Sequence, residues 1–205
     1  MSSATYVAVI GDVVASRELA PARRRRLQET LRAELARLNR RAAWRRSIAA
    51  RFAVAAGDEI EGLLTSAAPL WALSHTLRAA LPDVDVIVAC GRGPIATALA
   101  PTAPEVDGPC FHLARAALDA AKPDRQVFAF GGFDDPRLPG LAGYYSGLYW
   151  SWTRRQRRMA SAWRAELPAG PDALVPSAYS HLRRRMAWPL VQAGDRMLRA
   201  ILEKA

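Results

Sequence analysis

Along the first 130 residues the apolar positions switch repeatedly between two periods, and that switching restricts the chain to few folds. Tyr6–Asp12 is an apolar run interrupted only at Gly11-Asp12 and predicts a buried strand. Leu27, Leu31, Leu35 and Leu38 then step by four, four and three, which is the stripe of a helix opening at Pro21 and reaching about Ala43. Ile48–Ala56 and Glu61–Thr65 predict two strands, with "GDEIE" as the hairpin loop between them. Leu70, Leu73, Leu77 and Leu81 mark a second helix, closed by Pro82. Val84–Ala89 predicts a further strand, followed by a turn in "CGRGPI". "DGPCFHLARAALDAAKP" predicts a third helix, begun near Pro109 and stopped by Pro123, and Gln126–Phe130 a last short strand. The order β-α-β-β-α-β-α-β predicts an α/β (α+β) sandwich: a ferredoxin-like or cyclase-like mixed sheet with flanking helices.

The texture changes after residue 130. "GGFDDPRLPGLAGYYSG" is dense in Gly and Pro and predicts a linker over 136–147. This divides the chain into an α/β domain, 1–135, and a small helical module, 148–205. In the module, Trp152, Gln156, Met159 and Trp163 share one helix face, a short segment around Asp172–Val175 follows, and Pro189 stops the next helix. A final helix carries Leu190, Met197, Leu198, Ile201 and Leu202. Short helices in about sixty residues suit a helix-turn-helix module.

Charge is uneven along the 205 residues. Residues 1–50 carry eleven arginines against four acids, and residues 146–205 eleven basic residues against four acids. Between them, residues 51–145 hold eleven acids against seven basic residues. Basic ends point to a polyanion and the acidic middle to a cation. The alternative is a bias of arginine over lysine, since only Lys122 and Lys204 are lysines. No apolar stretch reaches the roughly 18 residues of a membrane helix, and "MSSATY" lacks the pattern of a secretory signal. Cys90 and Cys110 have no metal-ligand spacing and are expected to be reduced, in a cytoplasmic protein. His75, His112 and His181 are scattered and predict no zinc site, and no phosphate loop of the Walker type occurs.

Gly-Asp interrupts two apolar runs, at Gly11-Asp12 and Gly57-Asp58. If the two strands are neighbours, Asp12 and Asp58 repel, and each raises the other's pKa. Mg²⁺ or Mn²⁺ would remove that repulsion, with Glu59 as a third ligand or a neighbour. The alternative is that both aspartates only make turns.

"YVAVIGDVVASR", "LQETLRAELARLN", "FAVAAGDEIEGLL" and "GPCFHLARAAL", in that order, resemble the SatD family of bacterial cytosolic proteins. "GDEIEGLL" stands where that family usually shows an aromatic and a glutamine. More distantly, the chain is similar to the catalytic domains of class III nucleotide cyclases, in which two aspartates bind two metal ions. That similarity implies metal ligation by Asp12 and Asp58. It also implies nucleotide contacts by Gly11, Gly57 and Arg115, the last near a transition-state arginine, and a homodimer. Arg17 could reach a phosphate beside Asp12, or simply lead exposed into the helix. Val54 stands where the cyclases carry a base-reading lysine, and Phe111 where they carry a ribose-contacting asparagine. Both departures argue against a standard cyclase.

"ALVPSAYSHLRRRMAW" resembles the turn and recognition helix of bacterial regulators. Ser177 would cap the helix, Tyr179, Ser180, Arg183 and Arg184 would face DNA, and Ala178, Leu182 and Met186 the module's core. The alternative is a packing or dimerisation tail with a solvated arginine face. "GYYSGLYW", with Tyr144, Tyr145, Tyr149 and Trp150, would lie in a dimer interface or seal the two parts of one chain. The expectation is a cytoplasmic regulatory protein that binds DNA through its tail and senses a nucleotide or metal with its first domain. The alternatives are a metal-dependent nucleotide-processing enzyme and a non-catalytic adaptor dimer.

Overall fold

The computed structural model describes residues 4–165 and 176–205, the side chains of 176–179 excepted. β1 (Tyr6–Val13), α1 (Pro21–Arg40), β2 (Ile48–Ala56), β3 (Glu59–Leu64), α2 (Leu70–Ala80), β4 (Val86–Gly93), α3 (Pro109–Ala121) and β5 (Phe128–Gly131) follow in the predicted order. α4 (Arg137–Ser151), α5 (Arg154–Arg164), α6 (Pro176–Arg185) and α7 (Trp188–Leu202) complete the described chain. The five strands form one mixed sheet in the order β2-β3-β1-β4-β5. β1 pairs antiparallel with β3 and with β4, and β5 joins β4 in parallel. The first four strands therefore have the order expected of the ferredoxin-like split β-α-β arrangement.

Alternation along β1 sorts the core into two layers. Val7, Val9 and Val13 face α1 and α2, meeting Leu31, Leu35, Leu38, Leu70, Leu73 and Leu77. Ala8 and Ile10 face α3, meeting Cys110, Ala114 and Leu118. Both cysteines are buried and form no disulfide, and burial pushes both thiols up. β4 runs through "CGRG", where a turn is predicted, because glycine lets α3 settle directly on the strand. A Cβ on Gly91 would stand 2.0 Å from the Cys110 carbonyl oxygen and 2.3 Å from the Ala114 nitrogen.

The edge strand β2 slips register between Ala50 and Ala53, so Arg51 and Phe52 bulge away from β3. Asn39 of α1 takes up the freed groups: its amide nitrogen donates to the Phe52 carbonyl at 2.9 Å, and its oxygen accepts from the Phe52 N–H at 2.9 Å. The Arg51 N–H donates to the Pro101 carbonyl at 3.2 Å.

The segment predicted as a linker is mostly α4. Leu138, Ala142, Tyr145 and Tyr149 are its buried stripe, a helical period that the Gly and Pro content obscures. Pro139 sits in the first turn, where a missing N–H leaves no intrahelical bond unmade. Asp135 accepts from the Arg137 N–H at 2.9 Å and starts the helix. Tyr145 and Tyr149 join the core beside Trp71 and Phe128, so this part of the aromatic run seals one chain internally, while Tyr144 is 73% exposed. α5 opens on a capping box, with the Thr153 hydroxyl accepting from the Gln156 N–H and Gln156 accepting from the Thr153 N–H. Leu198, Ile201 and Leu202 of α7 enter the same core as β1 and α2. Leu190 and Met197, predicted on the apolar face of that helix, are exposed. The expected segment around Asp172–Val175 lies outside the described residues.

At the junction of α2, α4, α5 and α7 lies Arg164, with its side chain 2% exposed. Its guanidinium donates to both oxygens of Asp195, at 2.7 and 2.8 Å, and to the Tyr145 hydroxyl at 3.3 Å. The rings of Trp71, Tyr145, Trp152 and Trp188 surround it at 4.8 to 5.4 Å. Sequence reasoning places no role on Arg164, since its partners come from helices distant in the chain.

Candidate functional site

The second-last residue of β1 is Asp12, an even position that faces α3 with Ala8 and Ile10. β1 borders β3 rather than β2, and Ile10 stands opposite Glu61 and Gly11 opposite Ile60. The next step of that ladder brings Glu59 beside Asp12, so Asp12, Glu59 and Glu61 share the α3 face. Asp58 arrives from the adjoining hairpin turn. Gly57 takes φ +61° at the first turn position, which an L-residue resists and a two-residue hairpin of this hand requires. The side-chain amide of Gln28 in α1 donates to the Gly57 carbonyl at 3.1 Å and pins the turn.

α3 brings two cations to these acids. Arg115 and Lys122 lie seven residues apart, two turns along one helix face. Arg115 grips Glu59 through both terminal nitrogens, one at 2.6 Å from Oε1, and reaches Glu61 at 3.4 Å. The Lys122 ammonium lies 3.5 Å from Asp12 Oδ2. Four carboxylates thus meet two cations. Burial pushes the Asp12 carboxyl above its ordinary value, Lys122 pulls it down, and the charges of Asp58 and Glu59 push it up. Glu61 is pushed up by burial and then by Glu59, with Arg115 opposing. The hydrogen bond to Glu59 raises Arg115. One atom of the cluster has no such compensation: Asp58 Oδ2 is buried without a hydrogen-bond partner among the described residues.

Gly11-Asp12 makes no turn but lies inside β1, and Asp12 is coupled electrostatically to Asp58 of the β2–β3 turn. Among the described residues, no group of three or more His, Cys, Asp and Glu side chains is arranged to hold a metal ion. Glu59, a candidate third ligand, is committed to Arg115, and Arg115, a candidate phosphate contact, is committed to Glu59. Gly11 is buried in the centre of the sheet. Arg17 is exposed in the short turn after β1, and its carbonyl accepts from Arg24 at 2.6 Å. Val54 packs at the edge of the core and Phe111 is buried within it. Sequence reasoning missed Lys122 and Glu61. The signal for Lys122 was its seven-residue spacing from Arg115, and for Glu61 its two-residue spacing from Glu59.

In α6, Ser180, His181, Arg184 and Arg185 are exposed, Leu182 is half-buried and Met186 buried. Arg183 leans over the Trp163 ring at 5.7 Å. The side chains of Ser177, Ala178 and Tyr179 lie outside the described ones. Among the described residues, no helix is long and apolar enough to cross a membrane.

The model of the SatD family matches residues 6–127. That span holds β1 to β4, α1 to α3 and every carboxylate and cation of the cluster. Comparison with curated proteins finds no match.

Proposed function

The chain belongs to the SatD family, and from that premise we propose that it binds a divalent cation together with a phosphate-bearing ligand of the nucleotide class at Asp12 and Asp58. The observation that carries this reading is Asp58 Oδ2, buried with no hydrogen-bond partner among the described residues, in the same cluster as an Asp12 carboxyl pushed up by burial and by the charges of Asp58 and Glu59. A buried carboxylate oxygen without a donor is costly, and a hard cation is the ligand that suits it. Asp12 and Asp58 would hold Mg²⁺ or Mn²⁺, with Glu59 beside them. When bound, the ion supplies positive charge to phosphate oxygens. Lys122 balances Asp12 at present and would be released toward the incoming anion. Arg115 is held in place by Glu59 and Glu61, so its guanidinium presents a fixed orientation to the ligand. The distant likeness to class III cyclases favours the same pair of aspartates. Val54 and Phe111 supply no polar contact to a base or ribose, which favours sensing over a standard cyclase reaction.

Calorimetry of the whole chain with Mg²⁺, Mn²⁺ and nucleoside triphosphates tests this. Heat that depends on the metal and disappears in Asp58→Asn is the expected result. Absence of any heat, or equal heat in Asp58→Asn, overturns it.

A second reading keeps DNA as a partner of the tail, supported by the exposure of Ser180, Arg184 and Arg185 on α6. A homodimer is the assembly that the cyclase likeness favours. Light scattering at tens of micromolar would detect it, and a monomer would refute it.

A further inference from the structure

α1 and the bulged edge strand β2 border a cleft of about 450 Å³ that contains three exposed arginines, Arg32, Arg40 and Arg51, and no carboxylate. Among the described residues none of the three forms an ion pair. Arg37, between Arg32 and Arg40 on α1, pairs with Glu34. Arg51 is oriented by its Nε, which donates to the Pro101 carbonyl at 3.1 Å. The floor is apolar, made by Leu35, Phe52 and Val54. Three like charges around one cleft repel unless an anion enters.

We propose that this cleft and the arginine stripe of α1 bind the backbone of double-stranded nucleic acid without reading its sequence. This surface is separate from the carboxylate cluster and from α6. Three observations select the partner. The stripe is longer than a small anion: Arg25, Arg32 and Arg40 lie along one side of α1, and fifteen residues of helix rise about 22 Å, or six to seven base-pair steps at about 3.4 Å each. The guanidinium fork matches phosphate bidentately. Single strands are gripped by stacking bases on exposed aromatic rings, and here Phe52, the aromatic in the cleft, is only 3% exposed. The Asn39 amide, the side chain in the cleft suited to adenine, spends a donor and an acceptor on Phe52. Glu29 is an exposed acid on the same side of α1 and opposes binding.

Fluorescence anisotropy of the full chain with a labelled 24-base-pair duplex, over a KCl series, tests the proposal. The variant Arg32→Gln/Arg40→Gln/Arg51→Gln should weaken binding at least tenfold. It should also flatten the slope of log affinity against log salt by about 2 to 3, at roughly 0.9 for each phosphate no longer neutralised. The triple Lys variant should keep the affinity within a few-fold and the slope, and Glu29→Gln should tighten binding. A control of equal charge loss on α5, Arg154→Gln/Arg155→Gln/Arg158→Gln, should change little. Unchanged melting temperatures would confirm that each variant folds. An equal loss in the control would mean net charge alone, and overturns the proposal. Loss of binding in the Lys variant refutes backbone recognition. A single strand that binds as tightly as the duplex refutes the duplex, and poly-glutamate that competes as well at equal charge refutes nucleic acid.

Discussion

Asp58 keeps a carboxylate oxygen buried and away from any donor among the described residues, while Asp12 and Glu61 of the same cluster are pushed above their ordinary values, chiefly by burial. Raised acids stabilise the fold while protonated. That contribution is full below the ordinary values, 3.8 for Asp12 and 4.5 for Glu61, and is lost as pH rises through the folded ones. Stability should therefore decline on leaving the acid range through these two groups. Asp12→Asn should flatten that part of a melting profile and raise stability at pH 7 without metal. In the wild type, Mg²⁺ at 100 times its dissociation constant should add about 2.7 kcal/mol, and Asp12→Asn should lose that gain. A variant that melts like the wild type with and without Mg²⁺ would leave Asp12 a strand residue and Asp58 a turn residue with no cation to hold. The two aspartates were legible in the sequence because each interrupts an apolar run. Arg164 was not, because an arginine in a basic helix looks solvated until Asp195 and four aromatic rings from other helices surround it. Arg164→Met alone should cost about 3–5 kcal/mol, since it strands a buried carboxylate. Adding Asp195→Leu should recover most of the loss in a denaturant titration, and failure to recover would assign the cost to packing around the ring cage instead.

At the scale of elements, glycine has opposite meanings in two places. Gly140, Gly143 and Gly147 lie inside α4, with nothing among the described residues within 4 Å of the position a Cβ would occupy. Each substitution to alanine should raise stability by about 0.5–1 kcal/mol, the ordinary helix gain. Gly91 in β4 has the α3 backbone where its Cβ would go, so Gly91→Ala should lower the melting temperature and loosen α3 from the sheet. Thermal melts of the four single variants check both signs. If the α4 variants melt lower, the added methyl meets a contact within the chain that outweighs the helix gain. The strands of the sheet and α1 to α3 were readable because their apolar periods are strong and their boundaries carry Pro or Gly. α4 was not, because local composition said linker while the four-three-four spacing of Leu138, Ala142, Tyr145 and Tyr149 said helix. β4 was cut short for the same reason, its glycines taken for a turn when they serve close packing.

At the scale of the whole molecule, the core ignores the boundary suggested by composition. Val7 and Val9 of β1, Leu138 and Tyr145 of α4, and Ile201 of α7 belong to one buried cluster. The chain should melt in a single transition that far-ultraviolet and near-ultraviolet circular dichroism report at the same temperature. A fragment ending at residue 135 should bind a hydrophobic dye and show no cooperative melt, because losing α4 and α7 uncovers Trp71 and Phe128. A cooperative melt of that fragment would instead establish an independent α/β domain. No local pattern could reveal this sharing, since the residues it joins stand more than a hundred positions apart.

The central place of β1 has a consequence during synthesis. It leaves the ribosome before both of its neighbours, β3 at Glu59–Leu64 and β4 at Val86–Gly93. At about 5–20 residues per second, "VAVIGDVV" waits several seconds with both edges unpaired. Until β4 emerges, the nascent chain presents a short apolar ribbon open to any passing strand, and a chaperone that shields Tyr6–Val13 should raise the yield of folded protein more than one that acts after release.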